Sequence, residues 1–211
     1  MIGVWIWGAA ALLYAGFRLW YDNWRGPLTS QEVDDFVARL AAMPTGEVND
    51  MAILRAFLAA DDGREFLMLN LVRLNPEPVP HPTQPGVRLP AAQAMQVYMR
   101  QFFPMLMRRA GHPALAARPI GGYVDAWNVA PDPGWSLVGV MRYRSRRDMA
   151  RLASDARFGA AHAFKLAAMP QTFSFPTRPV LTLFVSPRVW VGLALALAAA
   201  LAHLGVLIAH D

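Results

Sequence analysis

Cysteine is absent from this 211-residue chain, and lysine nearly so: Lys165 stands alone against 19 Arg. Without Cys there are no disulfides, thiolate metal sites, iron–sulfur clusters or Cys nucleophiles. Charge is scarce too, at 17% of residues, against about 25% in an average soluble domain. A hydrophobic fraction of 55% excludes intrinsic disorder, and the pattern is not that of a coiled coil.

The sparse charge is unevenly placed. Every Asp, Glu, Lys and Arg except Asp211 lies between Arg18 and Arg188. As a helix, residues 1–17 rise about 26 Å, and the Arg18 stem can snorkel to extend that. The uncharged run 189–210 rises about 33 Å, enough for a hydrocarbon core of about 30 Å. Trp5, Trp7, Trp20, Tyr21, Trp24 and Trp190 sit where membrane interfaces would fall. A cleaved signal peptide would open with basic residues, and none precedes Arg18, so a retained anchor is expected. Arg18 and Arg25 follow the first span, Arg178 and Arg188 precede the second, and neither outer tail is basic. The positive-inside rule then predicts two passes, with residues 22–188 cytoplasmic and both termini outside. Small-residue stripes at Ala11/Ala15 and Gly192/Ala196/Ala200 predict close pairing of the two helices, or docking on another subunit.

Between the spans, Thr29 and Glu32 make a capping box before the helical stripe Val33, Phe36, Val37 and Leu40, stopped by Pro44. Thr45 is the expected cap of a second helix carrying Val48, Met51, Leu54 and Leu58, closed by Asp61-Asp62-Gly63. These two helices form a collar over residues 22–63. Residues 65–72 read as a buried strand, and 74–90, with six prolines, as a stiff loop. Residues 91–110 read as a helix with the stripe Met95, Tyr98, Phe102 and Met105, kinked or broken at Pro104 and stopped at Gly111. Two strands are expected at 119–128 and 135–143, joined by the turn 130–134. Gly121-Gly122 reads as a strand bulge. Ser145 and Asp148 open a helix reaching about residue 168, and 171–175 form the last strand.

The order predicts an α+β fold: a ferredoxin-like βαββαβ domain over 64–178, flanked by transmembrane helices at 1–21 and 189–210, with 179–188 as linker. One sheet face is left without helices, and an apolar open face predicts a homodimer.

The segments Leu67–Arg73, Tyr98…Gly111, Gly121-Gly122, Trp135…Ser145 and Ser154–Phe158 resemble, in order, a bacterial family of unassigned function in the dimeric α/β-barrel superfamily. The resemblance covers roughly residues 65–178; the membrane helices and collar depart from its small soluble members. The family being bacterial, the membrane expected from the two spans is the bacterial inner membrane, with the outer side periplasmic; the resemblance itself implies an active cavity between sheet and helices. Its superfamily includes cofactor-free monooxygenases, haem-degrading and haem-binding enzymes, and lactone isomerases.

No Gly-rich phosphate loop, nucleophile elbow or paired-carboxylate motif occurs, and the His spacing does not suit a metal. Asn70 is polar within an apolar strand, to be satisfied by a substrate or by the neighbouring backbone. Arg109 and His112 read either as favourable charge at a helix C-terminus or as a pair at the cavity mouth. Tyr98, Tyr123 and His162 are core-or-cavity candidates.

Residues 18–99 carry 7 basic and 10 acidic side chains, residues 100–188 carry 13 and 4. Arg142, Arg144, Arg146, Arg147 and Arg151 concentrate the excess. With no aromatic stacking platform beside them, nucleic acid is not expected. Anionic lipid headgroups or the acidic surface of a partner are.

The tail Ser186-Pro-Arg-Val-Trp190…Leu201–Leu207 resembles the helix of purple-bacterial light-harvesting antenna polypeptides, with a Pro-Arg start and Ala199 four residues before His203. Its Pro187-to-His203 spacing is about one turn short of that pattern, and no Trp follows the His. The resemblance implies His203 as an axial ligand to chlorophyll or haem. The leading functional expectation is an accessory or assembly subunit of a membrane complex, photosynthetic or respiratory. The alternative is a membrane-tethered enzyme on a small hydrophobic substrate, with Asn70, Arg109 and His112 positioning a carbonyl and Tyr98 or His162 moving protons.

Overall fold

The computed structural model describes residues 2–43, 49–182 and 185–209, except the side chains at 158 and 160. The expected stop at Pro44, cap at Thr45 and stripe residue Val48 lie outside these. The chain forms two compact units, one of 1–24 with 179–211, the other of 25–178.

The first unit holds two helices long and apolar enough to cross a membrane, α1 (Ile2–Tyr21) and α7 (Pro187–Ile208). They run antiparallel: Gly3 packs on His203, Tyr14 on Gly192, and Arg188 pairs with Asp22 at 2.7 Å. The seam does not follow the expected small-residue stripes, for Ala11, Ala15, Ala196 and Ala200 are exposed. It runs instead along Ile6, Ala10, Tyr14 and Phe17 against Gly192, Leu195, Ala199 and His203. Tyr14 decides the register, because its ring fills the notch at Gly192 and its hydroxyl donates to the Arg188 carbonyl at 3.0 Å.

The second unit is a mixed α+β body around a four-stranded antiparallel sheet. Its strands are β1 (Phe66–Arg73), β4 (His112–Ala117), β5 (Leu137–Tyr143) and β6 (Gln171–Thr177), in the order β4-β5-β1-β6. A two-stranded ribbon, β2 (Val79–Pro80) with β3 (Arg88–Leu89), lies within the proline-rich segment. Alternation along β1 sends Phe66, Met68, Asn70 and Val72 to one face and Leu67, Leu69 and Leu71 to the other. The first face meets the helices. There α4 (Ala91–Arg108) contributes Met95, Tyr98, Phe102 and Leu106, α5 (Arg146–Ala153) Met149 and Leu152, and α6 (Ala156–Ala168) Ala161 and Phe164.

The helices expected as a collar, α2 (Ser30–Ala41) and α3 (Met51–Ala59), join this core through Val33, Phe36 and Leu58. The Thr29–Glu32 capping box forms with both of its bonds, and Asp50 caps α3 by accepting from the N–H groups of Ala52 and Ile53.

Three expectations are corrected. The second sheet strand is not at 119–128 but at His112–Ala117, immediately after α4. Ala110 takes a left-handed φ of 54°, and Gly111 lies so close to Leu106 and the Arg142 carbonyl that a Cβ there would stand 2.4 Å from the Leu106 side chain. The chain therefore reverses within two residues. Gly121-Gly122 sits in an irregular connection, and the β-bulge lies between Pro113 and Leu115. The helix expected from 145 to 168 is two helices, because Asp155 caps a fresh start by accepting from the Arg157 N–H. Pro104 does not end α4, which continues to Arg108.

Candidate functional site

Between the first sheet face and the helices lies a cavity of about 830 Å³. Its floor is sheet: Met68 and Asn70 from β1, Gly139 and Met141 from β5, Ser174 from β6. Its walls are Tyr98, Met99, Phe102 and Phe103 of α4, His162 and Lys165 of α6, and Phe57 of α3. Gly139 leaves room at the centre of the floor, where a Cβ would have only the Met141 methyl within 4 Å, at 3.7 Å.

Asn70 is held by protein. Its amide donates to the carbonyls of Met68 at 2.9 Å and Gly139 at 3.2 Å, and its oxygen accepts from Ser174 Oγ at 2.7 Å. Those bonds cross from β1 to both neighbouring strands, so Asn70 knits the cavity floor and satisfies the polar group itself.

Tyr98 is buried, stacked on Phe102 at 5.5 Å and edge-on to His162 at 5.9 Å. Burial drives its phenol well above the ordinary range. His162 is shifted the other way, down to about 4, first by burial and then by the charge of Lys165. At pH 7 it is a neutral imidazole. The Lys165 ammonium stands 5.9 Å from the centre of the Tyr98 ring, and burial lowers its pKa.

Sequence reasoning passed over Lys165. The available signal was its position on α6, one turn after the buried Ala161 and on the flank of the apolar stripe that carries Phe164 and Ala168.

Arg109 and His112 are not a cavity-mouth pair. Arg109 bonds the Met105 carbonyl at 3.0 Å and Asp155 at 3.3 Å, which ties the end of α4 to the start of α6. His112 opens β4, with Nδ1 2.9 Å from the Pro113 carbonyl oxygen. Tyr123 lies in the exposed connection, where its hydroxyl accepts from the Trp135 indole at 2.8 Å.

The arginine cluster is internal rather than a lipid-facing patch. Arg142 and Arg147 are only 4% and 3% exposed. Arg142 pairs with Glu65 and donates to the Ala110 carbonyl; Arg144 pairs with Asp148 at 2.7 Å. Arg146 donates to the Phe57 carbonyl beside Asp61, and Arg147 pairs with Glu32 at 2.9 Å. Guanidinium forks suit such multi-point ties to carboxylates and carbonyls. Arg151 is half-buried beside Arg25 and Arg147, and burial lowers its pKa.

His203 Nδ1 receives the Trp7 indole N–H at 3.4 Å, and Nε2 packs so closely on Gly3 that a Cβ there would lie 2.6 Å away. Ligation of an iron or magnesium would require the His203 ring to turn away from Trp7 and Gly3. In the arrangement observed, both ring nitrogens are turned towards α1. Among the described residues, no group of three or more His, Asp or Glu side chains is arranged to hold a metal ion.

Among the described residues of this unit, no helix packs on the second sheet face. Leu115, Phe173 and Phe175 on it are 43%, 44% and 43% exposed, with Leu69, Leu71, Val138 and Val140 half-buried between them.

No family model matches the chain, and no curated protein matches it. The solved structures it is similar to include a protein of unknown function from Rhodopseudomonas palustris, at 21% identity and a TM-score of 0.53. The match covers 64% of this chain and 96% of that one. The methylated form of that protein matches at 23% identity with the same TM-score and coverage. At these identities the likeness is one of fold.

Proposed function

We propose that this chain is a two-pass membrane protein whose ferredoxin-like βαββαβ domain, of the dimeric α/β-barrel type, takes a small, largely apolar molecule into the cavity between sheet and helices. The observation that carries this reading is the cavity, whose volume of about 830 Å³ falls in the range of small-molecule sites, about 300–1,000 Å³. Its lining is mostly apolar and rich in Phe, Tyr and Met, with polar groups from α6 (His162, Lys165) and from the sheet (Asn70, Thr172, Ser174). The ferredoxin-like assignment is supported by the strand order β4-β5-β1-β6 and by the succession strand, helix, strand, strand, helix pair, strand. The membrane placement is supported by the two apolar helices and by Arg18, Arg25, Arg178 and Arg188 on one side of them. By the positive-inside rule that side is cytoplasmic, the membrane being the bacterial inner membrane.

If the cavity is catalytic, His162 is its proton acceptor, being neutral at pH 7, and Tyr98, held protonated by burial, is a donor. That chemistry suits a cofactor-free oxygenation or isomerisation. The uncovered sheet face favours a further role for the same domain, as a docking unit that forms a homodimer or serves as an accessory subunit of a membrane complex.

The test uses the full chain in lipid nanodiscs, titrated calorimetrically with 2-naphthylmethanol against empty nanodiscs. Saturable binding to the wild type and its loss in Gly139→Leu, which fills the floor, is the expected result. Equal heats from both proteins would refute the cavity as a binding site.

A further inference from the structure

Lys165 is the chain's only lysine, and it lines the cavity. Among the described residues no carboxylate stands within 4 Å of its ammonium, although ten arginine–carboxylate pairs occur elsewhere in the chain. Asp50, the one acidic lining residue among those described, is engaged as the cap of α3. Asn70 and Ser174 are bonded to each other on the floor, and Thr172 Oγ1 donates to the Leu71 carbonyl. Among the described residues, the cavity thus has one cation without a carboxylate partner, set among the rings of Tyr98, Phe102, Phe103, Phe57 and His162. Lys165 is half-buried, with its ammonium over the Tyr98 ring; a partly desolvated charge without a carboxylate is costly to the fold, and a ligand that supplies the opposite charge offsets that cost.

We propose that the molecule this cavity takes is a compact, ring-containing carboxylate, its acid group paired with the Lys165 ammonium and its apolar body against Tyr98, Phe102 and Phe103. The inference rests on the cavity reading above and specifies its ligand. The carboxylate supplies the counter-charge, while on the floor the side chains of Asn70, Ser174 and Thr172 are bonded within the sheet. Arginine would reach a carboxylate as a two-point fork, but Lys offers a compact point charge that leaves the cavity volume to the ring.

The experiment compares 2-naphthoate with 2-naphthylmethanol, which share a ring system and differ in charge, on the full chain in nanodiscs at pH 7. The expected result is that the wild type prefers the carboxylate by about tenfold or more, the factor a charge-assisted hydrogen bond supplies. Lys165→Gln should abolish the preference while still binding the alcohol, which shows that the variant is folded. Lys165→Arg should keep the preference. Equal affinity for both probes in the wild type, or an undiminished preference in Lys165→Gln, would overturn the carboxylate assignment and leave the cavity reading standing. Failure of the wild type to bind either probe would overturn both.

Discussion

Arg147 and Glu32, 115 positions apart, meet in a two-point ion pair: Nε donates to Oε1 and Nη2 to Oε2, each at 2.9 Å. The same guanidinium donates to the carbonyls of Gly26 and Pro27 at 2.9 and 2.7 Å. Glu32 is at once the third residue of a capping box and the anchor of α2 on α5. The two partners are not equally replaceable. Glu32→Ala leaves a buried guanidinium without its counter-charge and removes half of the cap, so it should destabilise the chain by about 3–5 kcal/mol. Arg147→Ala leaves a carboxylate that water can reach, and should cost less. Thermal unfolding of both variants in detergent checks the order.

The acid side of the stability profile follows from the same pair. Arg147 and the Thr29 N–H hold Glu32 down to about 2, and Arg157 holds Asp155 down to about 2. A carboxylate whose folded pKa is depressed contributes its full stability above its unfolded value, near 4.5 for Glu32 and 3.8 for Asp155. That contribution fades as pH falls towards 2. His162 adds to the loss, because the unfolded chain takes up its proton near 6.5 and the folded one only near 4. Melting temperature should decline from pH 6.5 downward, and His162→Phe should flatten the part between 6.5 and 4.

Lys165 acts with the same sign at the alkaline end. Burial lowers its pKa below 10.5, so stability should rise as pH climbs towards that value. Lys165→Met removes a desolvated charge and should raise the melting temperature at pH 7, by about 2–4 °C per kcal/mol for a chain of this size. A fall in melting temperature would mean that the ammonium has a favourable partner.

The uncovered sheet face should be an interface. Phe175→Asp places a charge among Leu69, Phe173 and Leu71 and should convert a dimer to a monomer without lowering the melting temperature. Light scattering of the solubilised protein reads this directly, and a monomeric wild type would contradict it.

His203 should carry no pigment. With Nδ1 taking the Trp7 indole proton and Nε2 against Gly3, protein purified gently from its membrane should show no chlorophyll or haem band that disappears in His203→Leu.

Local chemistry was legible in the sequence wherever it was self-contained. The Thr29–Glu32 box, the apolar run of β1 and the stripe of α4 each carry their own signal, and each stands in the structure. The strand β4 did not, because His112–Ala117 is half alanine, a poor strand former, while the exposed connection beyond it holds Ile120, Tyr123, Val124 and Trp127 in a strand-like pattern. The arginine cluster misled for a related reason. Composition shows a row of charges but not that Glu65, Asp148, Asp61 and Glu32 fold back to meet them. At the cavity, the residue types of Asn70, Tyr98 and His162 single them out in the sequence and all three line it, whereas Lys165 stands out only through the lack of a carboxylate near it among the described residues.

The most direct test of the cavity reading uses that single lysine as a reporter. Reductive methylation with 13C-formaldehyde labels Lys165 alone among side chains and keeps its positive charge. Titrating 2-naphthylmethanol into the labelled full chain should move its 13C methyl resonance saturably, and the movement should vanish in Gly139→Leu. A resonance that stays in place through saturation of the probe, or that moves equally in the filled variant, would contradict the account.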